Sequence, residues 1–288
     1  MSSPATKSGI LVGVDGSAQS DAAIRFATRE SVMRDVPVTL MHVIEPLPDW
    51  ATRAEQDRIA QVWQDNARDV IESARKTAVA CVTTSASLDL HTEIACSPVA
   101  AMFVLASAQA HMVVVGSRGM TPPGRFLLGS VSNSLVHHAQ CPVAVIHYDP
   151  EDETGSVLVG VDGSPASDGA IAFAFEEASR RGVDLLALHA WSDVAVFPIL
   201  GMDWRDYETR GAEILAERLA GYQQEYPGVQ VRRRLVCDKP AHWLIEESRH
   251  AQLVVVGSRG RGGFPHMRLG SVSSALTQSS KAPLVVVR

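Results

Sequence analysis

Two aspartates are the first residues of this chain whose type and position suit binding chemistry. Asp15 stands in "GVDGS" directly after an apolar run, and Asp162 stands in the same five residues further along the chain. A carboxylate there can accept hydrogen bonds from a ribose diol or an exocyclic amine. Because "DGS" after a strand is also ordinary turn chemistry, ligand binding and turn formation are both open for this pair.

Two glycine-rich loops share the spacing G-x2-G-x9-G-S, which lacks the lysine of a P-loop and contains no G-x-G-x-x-G. Their residues are Gly116, Gly119, Gly129 and Ser130 in one loop, and Gly257, Gly260, Gly270 and Ser271 in the other. The first two glycines of each loop allow positive φ angles and let an anion approach backbone amides. The closing Gly-Ser begins a predicted helix, whose free N–H groups favour phosphate. We therefore predict a phosphate site, with charge from Arg118 and Arg259 and a serine hydroxyl able to meet phosphate or Mg²⁺.

The elements that must position these residues occur twice along the chain. Residues 10–43 align without a gap to residues 157–190, and residues 112–119 align to residues 253–260. Copies of this length are whole domains rather than solenoid repeats. We predict one domain over residues 1–147, an exposed linker over 148–155 and a second domain over 156–288.

Each copy alternates short apolar runs with segments of helical periodicity. Nearly continuous valine strands between helices indicate a parallel sheet that is covered on both faces. The order is β-α-β-α-β-α-β-α-β, with right-handed crossovers. We predict an α/β fold with two tandem, doubly wound, five-stranded parallel sheets. The segments after the second strand of each copy, residues 46–63 and 191–207, suit either a nucleotide cover or a domain interface.

Composition excludes several classes of function. The formal net charge is −6 with a pI near 5.9, which argues against sequence-independent binding to nucleic acid or anionic membrane. No apolar run reaches the length of a membrane span, and the first residues do not resemble a signal peptide. Four cysteines without a C-x-x-C indicate reduced, buried thiols, so we expect a cytoplasmic protein.

Basic and imidazole-rich runs have ordinary structural interpretations. "RRR" at 232–234 lies in a strand-like stretch and is expected at an exposed sheet edge. His137 and His138 point about 100° apart on a helix, and the second copy has no histidine there, so we expect no metal site. His42 and His189 occupy matching positions at the end of the second strand, where a structural or a cleft-lining role is expected.

These residues together resemble a known family. "GVDGS" after the first strand, "HVI" at 42–44 and G-x2-G-x9-G-[ST] after the fourth strand are similar to the universal stress protein family, in its tandem two-domain form. The resemblance covers nearly the whole chain, with both motifs complete in both halves. It implies the strand order 3-2-1-4-5, a Rossmann-like fold, and ATP bound between the first and fourth strands.

Family residues carry over by position in this sequence. The resemblance implies that Asp15 and Asp162 hold adenosine, and that the chain near Val43, Val115, Ala190 and Val256 meets adenine. The loop glycines and serines named above would hold phosphates, and the strand-end glycines Gly13 and Gly160 would lie beside the nucleotide. It also implies pairing of the two halves through their last strands, or association of chains.

Three functions remain open on the sequence. The favoured one is an ATP-binding regulatory protein of stress response or growth control, with one site per half. An alternative is a slow ATPase or other nucleotide-processing enzyme, although no residue near the phosphate loop is suited to activate water. The third is a protein-interaction scaffold with vestigial sites.

Overall fold

The computed structural model describes residues 9–46, 53–82, 87–119, 128–148, 154–190, 204–261 and 268–288. The chain divides into two compact units, Met1–Asp149 and Pro150–Arg288. Residues 149–153 of the predicted linker lie outside the described residues. So do residues 47–52 and 191–203, which make up much of the two segments predicted as a cover or an interface.

The first unit is a parallel sheet in the strand order β3-β2-β1-β4-β5. Its strands and helices, within the described residues, are β1 (Ile10–Gly13), α1 (Ala18–Arg34), β2 (Val38–Ile44), α2 (Arg53–Ala80), β3 (Leu90–Cys96), α3 (Val99–Ala106), β4 (Met112–Gly116), α4 (Ser130–His138) and β5 (Val143–Ile146).

The second unit repeats this arrangement in the order β8-β7-β6-β9-β10, again with parallel pairs. Its described elements are β6 (Ser156–Gly160), α5 (Asp168–Arg181), β7 (Leu185–Ala190), α6 (Trp204–Glu225), β8 (Val231–Val236), α7 (Pro240–Glu247), β9 (Ala251–Gly257), α8 (Ser271–Ser279) and β10 (Leu284–Val287). Short 3-10 turns precede α5 and follow α7. The predicted fold class and strand order are confirmed in both units.

Burial follows the valine pattern of the sequence. Every residue of β4 is buried, as are those of β5 and β10, because helices cover both faces of these strands. The outermost strand β3 instead has mostly exposed or half-buried residues. The three arginines of β8 lie at the matching edge, where Arg232 pairs with Asp184 and Arg234 with Glu247. The expected exposed sheet edge is confirmed.

The cysteines differ from the prediction. All four are free thiols, but only Cys141 is buried, while Cys81 is half-buried and Cys96 and Cys237 are exposed. The two exposed cysteines occupy aligned positions at the carboxyl ends of β3 and β8. These are edge strands, on which alternate residues face solvent, so the prediction that all four thiols are buried was wrong.

The described residues contain neither a membrane-spanning helix nor a cluster of metal-binding side chains. No helix in the described part of the chain is both long and apolar enough to cross a membrane. Within the same described ranges, no group of three or more histidine, cysteine, aspartate or glutamate side chains is arranged to hold a metal ion.

Candidate nucleotide site

The strand order reverses between β1 and β4, which lie side by side with their carboxyl ends at one edge of the sheet. Asp15 follows β1 by two residues, and the glycine-rich loop leaves β4 at Gly116. The second unit places Asp162 and Gly257 in the same way, after β6 and β9. In doubly wound sheets the crevice at this reversal is where ligands bind.

One carboxylate oxygen of each aspartate shapes the turn into the next helix. Oδ1 of Asp15 accepts a hydrogen bond from the Ser17 N–H at 3.0 Å. Ser17 in turn caps α1, since its Oγ accepts from the Ser20 N–H at 3.1 Å. In the second unit, Oδ1 of Asp162 accepts from both the N–H and the hydroxyl of Ser164, at 2.9 and 2.7 Å. Turn formation, one of the two interpretations of "DGS", is therefore confirmed.

The other carboxylate oxygen reaches across to the glycine-rich loop. Oδ2 of Asp162 accepts a hydrogen bond from the Arg261 N–H at 2.8 Å, which joins residues 99 positions apart. A Cβ built on Gly260 would overlap this Oδ2, and a Cβ on Gly119 would overlap Oδ2 of Asp15. Asp162 thus ties together the two loops that bound the crevice, and Asp15 lies equally close to its own loop.

Close packing, rather than positive φ, explains the loop glycines. Among the described glycines, positive φ angles occur at Gly16, Gly163 and Gly182, so the positive φ expected within the glycine-rich loops was wrong. A Cβ on Gly116 would lie 2.8 Å from Cβ of Gln19, because α1 packs directly on the loop. The 3-10 turn before α5 comes similarly close to the second loop, where a Cβ on Gly257 would lie 3.0 Å from the Ala166 carbonyl oxygen.

The last glycine of each loop caps the following helix. Gly129 has an extended backbone, and its N–H donates to the Ser117 carbonyl at 2.8 Å. The first intrahelical bond runs from Asn133 N to Gly129 O at 2.9 Å, so the three N–H groups from Ser130 to Ser132 precede it. Gly270 and α8 repeat these bonds. Ser130 is exposed and is the first helical residue, not the cap. The start of each helix therefore presents N–H donors and a partial positive charge at the crevice.

Sequence reasoning missed one pair of serines that holds the loop in place. Ser132 Oγ donates to the Gly116 carbonyl at 2.6 Å, and Ser273 Oγ donates to the Gly257 carbonyl at 2.6 Å. Both serines are buried. The repetition of "GSVS" in both copies was the available signal, because a buried hydroxyl at a repeated position needs a fixed partner.

The paired histidines are structural links between strands. Nδ1 of His42 donates to the Val14 carbonyl at 2.8 Å, and Nδ1 of His189 donates to the Val161 carbonyl at 2.7 Å. Burial lowers the pKa of His189, and the Arg261 guanidinium lowers it further, against the opposing effects of the Val161 bond and Asp162. His189 is thus held neutral, with Nε2 facing Arg261.

All nine residues predicted for the second site line one cavity of about 520 Å³. They are Gly160, Asp162, Ala190, Val256, Gly257, Arg259, Gly260, Gly270 and Ser271. Leu188 adds apolar surface, and the N-terminal turn of α8 closes the other side with Val272 and Ser273. The cavity therefore has an apolar part, a carboxylate and a helix start within reach of one small molecule.

Comparisons with known proteins show the family to which the chain belongs. The profile of the Universal stress protein family matches residues 8–147 and again residues 154–288. The chain belongs to the universal stress protein family. A universal stress protein of Mycolicibacterium smegmatis is 52% identical over 99% of this chain and 98% of its own length. Another, from Mycobacterium tuberculosis, is 46% identical over 100% of this chain and 99% of its own.

A solved structure shares the fold over both units. A universal stress protein from Archaeoglobus fulgidus DSM 4304 matches with a TM-score of 0.71 and 20% identity, and the match covers 98% of this chain and 99% of that one.

The strand-end glycines of this universal stress protein fold make room for helices. A Cβ on Gly13 would lie 3.1 Å from the Phe103 ring of α3, and a Cβ on Gly160 would lie 3.1 Å from Leu244 of α7. The absent side chains let these helices approach the sheet beneath the crevice. In the first unit Val43 and Val115, the residues predicted to meet adenine, are both buried.

Two further cavity-lining residues of the second unit were not predicted from the sequence, and a third, Arg261, belongs to the loop spacer "RGGFPHMRL" whose charge was expected to help bind phosphate. Lys239 and His242 stand at the start of α7, and Arg261 follows the second glycine of the loop. All three are exposed and add basic groups to a cavity that Arg259 also lines. No motif marked Lys239 and His242, because the residue types at the aligned positions of the first copy differ.

Proposed function

We propose that each unit of this chain binds one adenine nucleotide, ATP, in the crevice between its first and fourth strands. The chain would act as a cytoplasmic regulatory module of stress response or growth control. One observation carries the proposal: the nine residues assigned to the second site by their positions in the sequence all line a single cavity.

The cavity offers a suitable environment to each part of the nucleotide. Ala190 and Val256 supply apolar surface and backbone groups for the adenine, and Asp162 supplies a carboxylate for the ribose. The start of α8 supplies N–H donors for the phosphates, and Arg259 supplies positive charge. A volume of about 520 Å³ lies within the range of small-molecule sites.

The first unit carries the same groups at the aligned positions. The carboxylate of Asp15 lies against Gly119 as that of Asp162 lies against Gly260. The start of α4 has the same backbone hydrogen bonds as the start of α8. Arg118 stands where Arg259 stands in the second unit. We therefore propose two sites per chain.

A magnesium ion would enter with the triphosphate. The first helical serines, Ser130 and Ser271, provide hydroxyl oxygens that suit Mg²⁺, and the ion would otherwise rest on phosphate oxygens and water. The ion would neutralise part of the negative charge of the triphosphate. The chain itself supplies the N–H groups of the helix start and the arginine guanidinium to the remaining phosphate oxygens.

Rapid turnover is not expected at these sites. Hydrolysis needs a group that positions and activates water, such as a carboxylate or an imidazole. The described parts of both glycine-rich loops, residues 116–119, 128–130, 257–261 and 268–271, contain neither. In the second unit the His242 imidazole and the Asp162 carboxylate line the cavity outside the loop, where we assign them to phosphate and ribose. The role we propose is therefore binding and release of nucleotide, rather than turnover.

Gly129→Ala and Gly270→Ala test the two sites separately. Both glycines have φ near −70°, and a Cβ on either would meet protein atoms no closer than 3.4 Å, so the fold tolerates the methyl group. Calorimetric titration with Mg·ATP should give two sites for the unmodified chain and one for each variant. We expect the affected site to lose at least tenfold in affinity, because the methyl group crowds an anion at the helix start.

Gly221→Ala is the matched control, because a Cβ there meets nothing within 4 Å and the residue lies within α6, away from the cavity. It should leave both sites intact. Two undiminished sites in the double variant Gly129→Ala/Gly270→Ala would refute the proposal, as would the absence of any ATP binding by the unmodified chain.

A further inference from the structure

The two crevices differ in charge at aligned positions. In the second unit Lys239, His242 and Arg261 line the cavity together with Arg259. The sequence repeat aligns the first three with Pro98, Ala101 and Met120 of the first unit. Lysine and arginine thus give the second site three permanent cations beside one carboxylate, whereas the first unit has one cation and one carboxylate at these positions.

Lys239 is held at the cavity by an unusual turn. Asp238 and Lys239 both have left-handed backbones, with φ of 56° and 49°. Oδ1 of Asp238 accepts the Lys239 N–H at 2.7 Å, which fixes the turn before α7 begins at Pro240. A left-handed backbone is unfavourable for a residue other than glycine. The first unit instead has Pro98 at φ −53°, so this turn and its lysine belong to the second unit alone.

Arg261 lines the cavity next to the turn after β6 and the end of β7. Its N–H is bound to Asp162, and its guanidinium extends over Gly163, where a Cβ would come within 2.7 Å of Nη2. Nη2 also lies 3.5 Å from Nε2 of His189, the neutral imidazole at the end of β7. Basic groups therefore face the cavity from α7, from the β6–β7 side and from the glycine-rich loop.

We propose that the second site selects its ligand by the charge of the phosphate tail, preferring tri- over monophosphates more strongly than the first site does. This inference rests on the nucleotide sites proposed above. The determinants are Lys239, His242 and Arg261, which supply charge and hydrogen-bond donors to phosphate oxygens. The first site binds mainly through groups common to both units, and so distinguishes ATP from AMP less sharply.

The solvent exposure of the basic side chains limits how strongly the second site can discriminate triphosphates from monophosphates. All of these basic side chains are solvent-exposed, so water and salt screen each of them. An exposed ion pair contributes up to about 1 kcal/mol, which corresponds to about a fivefold change in affinity. We expect the discrimination to be largest at low ionic strength and to shrink as salt is added.

The test compares the ratio of AMP to ATP dissociation constants at each site. Gly270→Ala isolates the first site, and Gly129→Ala isolates the second. The ratio should be at least fivefold larger at the second site. In the Gly129→Ala background, Lys239→Gln and Arg261→Met should each lower the ratio by about fivefold and leave the affinity for AMP nearly unchanged.

Lys281→Gln is the matched control, since Lys281 is an exposed lysine of the same unit that does not line the cavity. Equal ratios at the two sites, or ratios that Lys239→Gln and Arg261→Met leave unaltered, would overturn the inference.

Inorganic tripolyphosphate separates this inference from the proposed function. It lacks adenosine, so its binding to the Gly129→Ala chain reports the anion site alone. We expect measurable binding that Lys239→Gln weakens about fivefold. If ATP binds no better than tripolyphosphate, the adenosine site fails while the charge selection stands. If ATP binds but tripolyphosphate binding is insensitive to Lys239 and Arg261, the charge selection fails.

Discussion

The carboxylate of Asp162 lies so close to Gly260 that a methyl group on the glycine would overlap Oδ2. Asp15 and Gly119 have the same relationship in the first unit. The aspartate that would face the ribose is therefore also the residue that holds the glycine-rich loop against the turn after the first strand. Under the proposed function, nucleotide binding and loop position would be coupled through this one side chain.

Gly260→Ala should damage both stability and binding, because the new methyl group must displace the Asp162 carboxylate and break its bond to the Arg261 N–H. Overpacking of this kind costs about 1–3 kcal/mol. Chemical denaturation should show that loss, and calorimetry should show loss of the second ATP site. Gly270→Ala, in contrast, should lose the site without losing stability.

Gly228→Ala is a suitable reference for the denaturation, since a Cβ there meets nothing within 4 Å. If Gly260→Ala were as stable as this reference, the contact between Asp162 and the loop would not have the structural role described.

Ser273→Ala should loosen the loop from α8. The change removes a buried hydrogen bond of 2.6 Å and leaves the Gly257 carbonyl without that donor. Such a loss costs about 1–3 kcal/mol. We expect a lower free energy of unfolding and weaker ATP binding at the second site. Ser73→Ala, at an exposed position within α2, controls for the loss of a serine hydroxyl and should change neither.

His189 should make stability depend on pH. Its folded-state pKa lies below the ordinary value of 6.5, so the unfolded chain binds the proton more readily. The stability that the neutral imidazole contributes is fully present at pH values above the unfolded-state pKa. As the pH falls from the unfolded-state pKa to the folded-state pKa, this stability is lost, and further acidification removes no more of it. Acidification should therefore lower the free energy of unfolding.

His189→Asn isolates this effect, because an amide N–H can replace Nδ1 as the donor to the Val161 carbonyl. Denaturation curves at several pH values should show a shallower slope for His189→Asn than for the unmodified chain in that window. Parallel slopes would show that His189 does not titrate differently in the two states.

Exposed thiols give a simple check of the fold around the crevices. Cys96 and Cys237 should react with a thiol reagent in the native state, whereas the buried Cys141 should react only after unfolding. Mass spectrometry of the labelled peptides identifies the sites. Rapid labelling of Cys141 in the native chain would contradict the burial described.

Regular patterns in the sequence predicted the architecture well. The valine runs and helical periodicity placed β4 and α4 within a residue of their observed bounds, since local burial determines both elements. The order 3-2-1-4-5 came from the family resemblance, and the reversal it creates explains why Asp15 and the loop after β4 meet.

Contacts between distant residues were not predictable in the same way. The loop glycines were expected to adopt positive φ, but Gly116 is required by the approach of α1 and Gly119 by the carboxylate of Asp15. Lys239 and Arg261 reach the cavity only through the turn before α7 and the bond to Asp162. The bond of Arg261 depends on a partner 99 positions away, and the left-handed turn at Asp238 and Lys239 has no glycine to mark it.

The central claim is that each crevice holds one nucleotide, with its phosphates at the helix start. Crystals of the chain soaked in Mg·ATP test it most directly. We predict adenosine beside Asp15 and Asp162, and phosphates at the N–H groups that begin with Ser130 and Ser271. Crystals in which both crevices stay empty at millimolar Mg·ATP, or in which nucleotide binds only elsewhere, would contradict the account.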